Sequence, residues 1–321
     1  MIPTVVLAPL AGGPSTPELA AAVANAGGAG FLGGGYLSPE ALEERLRQAR
    51  ELTGGVLGVN LFVLREQAVD ERAVAAYARE LAAEGELGEP HFDDDRLAEK
   101  LEVVLAAPVE VVSTTFGPPS PELVRKAHAA GKQVWATVAT VDDARAFEGV
   151  DALVAQGIEA GGHRGAFDDA DESDLPLLDL LRALSPTGLP LVAAGGIADR
   201  ATADAAREAG AAAVQAGTAF LLCPEAGTSV PHREALERGG ETALTRAFTG
   251  RRARGIVNRF MREHPDAPSA YPHVHHLTAP LRAAARAAGD AERINLWAGT
   301  RLAEARERPA ADVVAELREG A

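Results

Sequence analysis

The chain has 321 residues, 47% of them hydrophobic, and a formal net charge of −15. That length supports a large core, either one α/β barrel with additions or two domains, and the acidic surface argues against a nucleic-acid partner. One cysteine, Cys223, excludes an intrachain disulfide, and the absence of a basic leader or of a long apolar span points to a cytoplasmic protein with no membrane partner.

Short apolar or β-branched runs alternate along the chain with Ala/Leu/Glu/Arg-rich helical stretches. Strands are predicted at 5–8, 30–32, 56–61, 109–113, 133–138, 151–155, 191–194 and 212–215. Helical patterns fall between them, among others at 16–25, 39–52, 121–130 and 200–209. Repeated βα units imply a parallel sheet, and eight of them a closed (β/α)8 TIM barrel over residues 1–224. Residues 67–105 form a charged excursion with the acidic turn Asp93-Asp94-Asp95, read as two helices within one βα connection. Residues 225–290, with Arg251, Arg252, Arg254 and Arg259, read as an added helical subdomain. Residues 291–321 read as a closing helical segment that packs back on the barrel. Gly28-Ala29-Gly30-Phe31-Leu32-Gly33 has the spelling of a dinucleotide-binding loop, but a helical stretch precedes it where that motif needs a strand. Its glycines are assigned to a turn and a short second strand.

Barrel enzymes carry their chemistry in the loops at the C-terminal ends of the strands. The sixth strand runs into Gln156-Gly157-Ile158-Glu159-Ala160-Gly161-Gly162-His163-Arg164-Gly165. Glycines there let backbone approach a ligand, and His163 is a candidate base near neutral pH. The seventh strand ends in Gly195-Gly196 and the eighth in Ala216-Gly217-Thr218. Glycine turns leading into helices at these two loops suit a phosphate group. Asn60 and Gln156 close the third and sixth strands, where each either serves the structure or bonds a heterocycle edge. Cys223 lies in an apolar run and reads as a small buried hydrophobe. His273, His275 and His276 lack a zinc-like spacing and read as a solvent-facing loop, so no metal is expected.

Taken together, these motifs resemble the nitronate monooxygenase family, formerly 2-nitropropane dioxygenases. The resemblance is carried by residues 8–19 (beginning Ala8-Pro9-Leu10), Val59-Asn60-Leu61-Phe62, the Gly-His loop, Ala194-Gly195-Gly196-Ile197, Gln215-Ala216-Gly217-Thr218, residues 219–229 and Thr245-Arg246-Ala247-Phe248. It implies an FMN-binding TIM barrel with an added helical domain. Ala8, Pro9 and Leu10 would lie along the flavin ring, and Asn60 and Gln156 would bond flavin or ribityl polar atoms. Gly161, Gly195, Gly196, Gln215, Ala216, Gly217 and Thr218 would line the ribityl phosphate side. His163 matches the catalytic histidine, as base toward a nitroalkane or as orienting group toward a nitronate. The reaction implied is oxidation of alkyl nitronates or nitroalkanes by O2, giving a carbonyl compound and nitrite, in a chain whose self-association is left open. Leu10 stands in place of Met, Gln133 in place of Lys and Thr300 in place of Gln, and Thr115 in Ser113-Thr114-Thr115-Phe116-Gly117 replaces a second pocket histidine. These departures bear on the substrate rather than the flavin. Two other readings stand beside it: an NAD(P)H-dependent flavin enoyl reductase of the FabK type, and a non-redox barrel that binds a phosphorylated ligand.

Overall fold

The computed structural model describes residues 3–318 apart from Phe147 and Glu172. Strands β1 (Val5–Leu7), β2 (Ala29–Gly33), β3 (Val56–Phe62), β4 (Val111–Thr115), β5 (Gln133–Val138) and β6 (Ala152–Gln156) follow one another around a barrel. β7 is the two-residue strand Gly162–His163 outside it, so the barrel's seventh and eighth strands are β8 (Leu191–Ala194) and β9 (Ala213–Ala216). β9 pairs back onto β1 through Val6↔Gln215, and every barrel pair is parallel. The (β/α)8 reading therefore holds, with all eight strands where the apolar runs put them. β4 starts later than predicted because the Val109 N–H turns back to the Ala107 carbonyl at 2.9 Å.

Side-chain alternation sets which residues the barrel turns inward. Val6, Phe31, Val111, Trp135, Val154, Val192 and Ala213 fill the interior, and Phe31 and Trp135 meet at 5.4 Å between ring centroids. Their strand neighbours, such as Val5, Leu7, Leu57, Val59 and Leu153, face the helix layer. Counting by twos, Asn60, Thr115, Thr137, Gln156 and Gln215 also turn inward, one level above the apolar plug. They form a polar floor at the C-terminal mouth.

Several helices on the outside begin with the same device. Thr16, Ser38 and Ser120 each accept the backbone N–H three residues on, and a proline stands at the first helical position. The helix Pro17–Asn25 lies so close on β2 that a Cβ at Gly30 would sit 1.9 Å from the Ala20 carbonyl oxygen. Gly30 thus lies in the short second strand, as expected, and in addition serves helix–strand packing.

The excursion after β3 holds the helices Glu71–Leu81 and Leu97–Ala106. Leu101 and Val104 of the second join the barrel's outer core, whereas Val74, Tyr77 and Leu81 of the first pack with Phe248, Phe260, Val274, Leu277 and Leu281. The stretch read as a helical subdomain after residue 225 also contains an antiparallel pair, β10 (Thr242–Thr245) and β11 (Ala253–Ile256), and β7 joins β11 through Ala253↔His163. Glycine pairs and a long connection between β10 and β11 hide that pair in the sequence. The closing segment is helical only in part, as the short 3-10 turns Ala291–Arg293 and Leu302–Glu304 and the helix Ala310–Leu317. No helix of the described residues is long and apolar enough to cross a membrane.

Candidate active site

A cavity of about 460 Å3 opens at the barrel mouth. Ala8, Pro9, Leu10, Asn60, Gln156, Gly161, His163, Gly195, Gly196, Gln215, Gly217 and Thr218 all line it, so residues from every quarter of the chain's first 220 positions converge there. Ala216 does not line it. It alternates with inward Gln215, is buried among the outer-core residues, and gives its carbonyl to the Ala8 N–H at 2.8 Å. Gln133 also falls away from the site. It opens β5 at the opposite end of the barrel, where its Oε1 accepts the Trp135 indole N–H at 3.0 Å.

One end of the cavity is a backbone cradle. Gly195 and Gly196 have φ of 110° and 67°, values that side chains resist. Among the described residues, the N–H groups of Gly196, Ile197, Gly217 and Thr218 donate to no other part of the protein. A Cβ at Gly217 would meet Leu10 Cδ2 at 3.2 Å and Ala8 Cβ at 3.3 Å. Free amides at two strand-end turns, with close approach secured by glycine, suit an anionic phosphate. The polar floor is differently disposed. The Asn60 amide donates to Ser113 Oγ and Thr115 Oγ1, both at 2.9 Å, so its Oδ1 remains to accept from a ligand. Gln156 is largely committed to the loop beyond it: its Nε2 donates to the His163 carbonyl at 3.0 Å, and its Oε1 accepts from the Gly165 N–H and Arg164.

Arg164 holds that loop. It is buried to 2% exposure, pairs with Asp174 at 3.0 Å and donates to the Gly157 and Gln156 carbonyls. Arg252 pairs with the same carboxylate. Glu159, close to His163 in sequence, turns away and caps the helix Leu177–Leu184 through the Leu177 N–H. His163 itself sits between Phe116, Tyr271 and Trp297, at 5.7, 5.7 and 5.5 Å between ring centroids. Burial, with Arg251 and Arg282 nearby, pushes its pKa down to about 3, so the imidazole is neutral. Its Nε2 lies 2.9 Å from Thr249 Oγ1, and that hydroxyl donates onward to the Arg251 carbonyl at 3.3 Å. In this arrangement Nε2 carries the proton, and the Nδ1 lone pair is available to a substrate.

His275 corrects the sequence reading. His273, His275 and His276 open a helix, His273–Ala287, rather than a solvent-facing loop. His276 stacks on His91 at 3.9 Å on the outer side, while His275 lines the cavity and stacks on Tyr36 at 4.3 Å. Arg282 can only donate, so its contact with His275 Nδ1 at 3.2 Å leaves the proton on Nε2. Burial and Arg282 push the His275 pKa down to about 2, which makes it a fixed neutral donor. Thr115 and His275 thus line the same cavity from different elements. The apolar spacing of Val274, Leu277 and Leu281 was the signal available in the sequence; Pro280, inside the helix, obscured it.

A closed parallel barrel with free backbone amides and a half-buried, neutral histidine around one mouth-side cavity has the layout of a TIM-barrel enzyme. The nitronate monooxygenase family model matches residues 1–320. The chain is 41% identical to nitronate monooxygenase of Pseudomonas aeruginosa, over 95% of this chain and 92% of that protein. It superimposes on the crystal structure of nitroalkane oxidase from Streptomyces ansochromogenes with a TM-score of 0.94 at 46% identity, covering 98% of this chain and 94% of that one. FabK from Thermotoga maritima is similar at a TM-score of 0.77 and 26% identity, covering 98% and 91%. The chain belongs to the nitronate monooxygenase family and is an oxidoreductase.

Proposed function

We propose that the chain oxidises alkyl nitronates, and the nitroalkanes from which they form, with FMN and O2, releasing a carbonyl compound and nitrite. The observation that carries this reading is the half-buried, neutral His163, with its Nδ1 free, on the same cavity as the phosphate-type cradle. The residues present fit FMN. Gly196, Ile197, Gly217 and Thr218 would hold the phosphate through backbone N–H groups, Asn60 Oδ1 would accept from the ring system, and Ala8, Pro9 and Leu10 would lie along it. When bound, FMN supplies the electron acceptor that O2 reoxidises.

Toward a neutral nitroalkane, His163 Nδ1 removes the α-proton, and Thr249 holds the ring in the tautomer that leaves this nitrogen unprotonated. Toward a nitronate, His275 Nε2–H donates to an anionic oxygen, and the surrounding aromatic wall keeps water out. His275→Phe keeps the stacking surface and removes the donor. It is expected to raise KM for a small nitronate about tenfold, the worth of one charge-assisted hydrogen bond, with flavin content unchanged. An unaltered KM would take His275 out of substrate binding.

Gly217→Leu is expected to yield a folded protein that purifies without the yellow of bound flavin, because the new side chain must enter the cradle or displace Leu10 and Ala8. Wild-type visible absorbance in that variant would remove the turn from the cofactor site. The function itself is tested by nitrite release from a nitronate in air. Anaerobic bleaching of the flavin by NAD(P)H, with no nitrite formed from any nitronate, would replace this reading with the enoyl-reductase one. A colourless protein that FMN cannot reconstitute would exclude both.

A further inference from the structure

A second, smaller pocket of about 120 Å3 lies behind Phe116, whose ring forms part of both cavities. Its lining includes the aromatic residues Phe92, Phe116, Phe167 and Tyr271, beside Leu64 and two prolines, and Arg65 and Gln67 are exposed. The inner wall carries Arg251, only 6% exposed.

Arg251 is a buried cation without a partner anion. Its Nε donates to the Arg164 carbonyl at 3.2 Å, one terminal nitrogen donates to the Ala166 carbonyl, and its guanidinium lies 4.2 Å from the centre of the Phe116 ring. Among the described residues no carboxylate lies within ion-pair distance of it. The acid that acts on it most strongly, Asp169, is already paired with Arg246 at 2.8 Å and accepts the Arg252 N–H. The remaining terminal nitrogen, Nη1, makes no hydrogen bond within the described residues, yet it is not sealed off from solvent-accessible space. A buried charge left unpaired is costly, and the ordinary remedy is an anion at hand. Burial opposes the charged form here without displacing it at neutral pH, since guanidinium does not deprotonate in proteins.

We propose that this pocket binds a small planar oxyanion of the nitrite or bicarbonate class through Arg251 Nη1. The volume admits a few-atom ion, the equivalent of about four waters. The aromatic residues favour a flat, weakly hydrated anion, and exposed Arg65 draws negative charge inward from an otherwise acidic surface. Nitrite's standing as a reaction product rests on the function proposed above; occupation of the pocket by such an anion does not, and is measured without turnover.

The test is thermal unfolding of the purified full-length protein, with any flavin it carries, titrated at constant ionic strength with sodium nitrite, sodium bicarbonate or sodium chloride. The expected result is a saturable rise in Tm of roughly 2 °C with nitrite or bicarbonate and a smaller, non-saturating response to chloride. The more effective oxyanion identifies the occupant. Arg251→Met is expected to abolish the rise. Because that change also removes two bonds to backbone carbonyls, Leu64→Trp, which enlarges another lining residue, provides a second variant with Arg251 intact; it too is expected to abolish the rise. An equal response to chloride, or a rise that survives in Leu64→Trp, would overturn the proposal.

Discussion

Replacing His163 with asparagine is expected to lower turnover of a neutral nitroalkane by about 10²–10⁴-fold, the usual contribution of a positioned general base. Turnover of the pre-formed nitronate should fall far less, since its proton is already gone, and flavin content should stay at the wild-type level because the cradle is built from other residues. Equal losses on the two substrates would show that the imidazole does something other than take the proton. The pH profile adds a second check. Burial holds the His163 pKa near 3, well below its ordinary value, so the imidazole is already unprotonated across about pH 5 to 9. The nitroalkane rate should therefore show no ionisation limb near pH 6.5. Such a limb, lost in His163→Asn, would mean that the imidazole is hydrated and titrates normally in the working enzyme.

Asp174→Ala is expected to destabilise the fold by about 3–5 kcal/mol, because it strands two arginines at once. Arg164 and Arg252 both rely on that carboxylate, and Arg164 is almost wholly enclosed. An exposed pair gives the control: Asp179→Ala, which breaks the contact with Arg182, should cost no more than about 1 kcal/mol. Urea unfolding of both variants decides the matter. A similar small loss in each would mean that Arg164 finds enough in the Gln156 and Gly157 carbonyls alone. Nitroalkane turnover should also fall in Asp174→Ala, since the loop Arg164 braces is the one that presents His163.

The barrel was legible because its signals are local. Each strand is a short apolar run, so Asn60 and Gln156 were identifiable as mouth residues from their places at strand ends, and Gln215 from the family resemblance, before any contact was known; the period of two accounts for the direction of all three. The same period sends Ala216 outward, and reading the 215–218 turn as one undivided motif obscured that. What stayed hidden depends on pairings far apart in sequence. Arg164 looks like any loop arginine until Asp174 is folded against it. Thr249 acquires a role only when β11 brings it beside His163. The connection between β10 and β11, residues 246–252, is longer than common hairpin loops, which removes the usual cue for an antiparallel pair.

The pairing of β7 with β11 has a consequence for altering the enzyme. His163 leaves the barrel in sequence yet hydrogen-bonds into the sheet of the covering layer, and Thr249 and His275 belong to that layer as well. The cradle stays with the barrel, whereas His163, Thr249 and His275 travel with that layer. Grafting that layer from a relative to widen the substrate range would therefore re-aim His163, the proposed base, as well as reshape the pocket. Such a chimera would need the Gly162–His163 segment transplanted along with it.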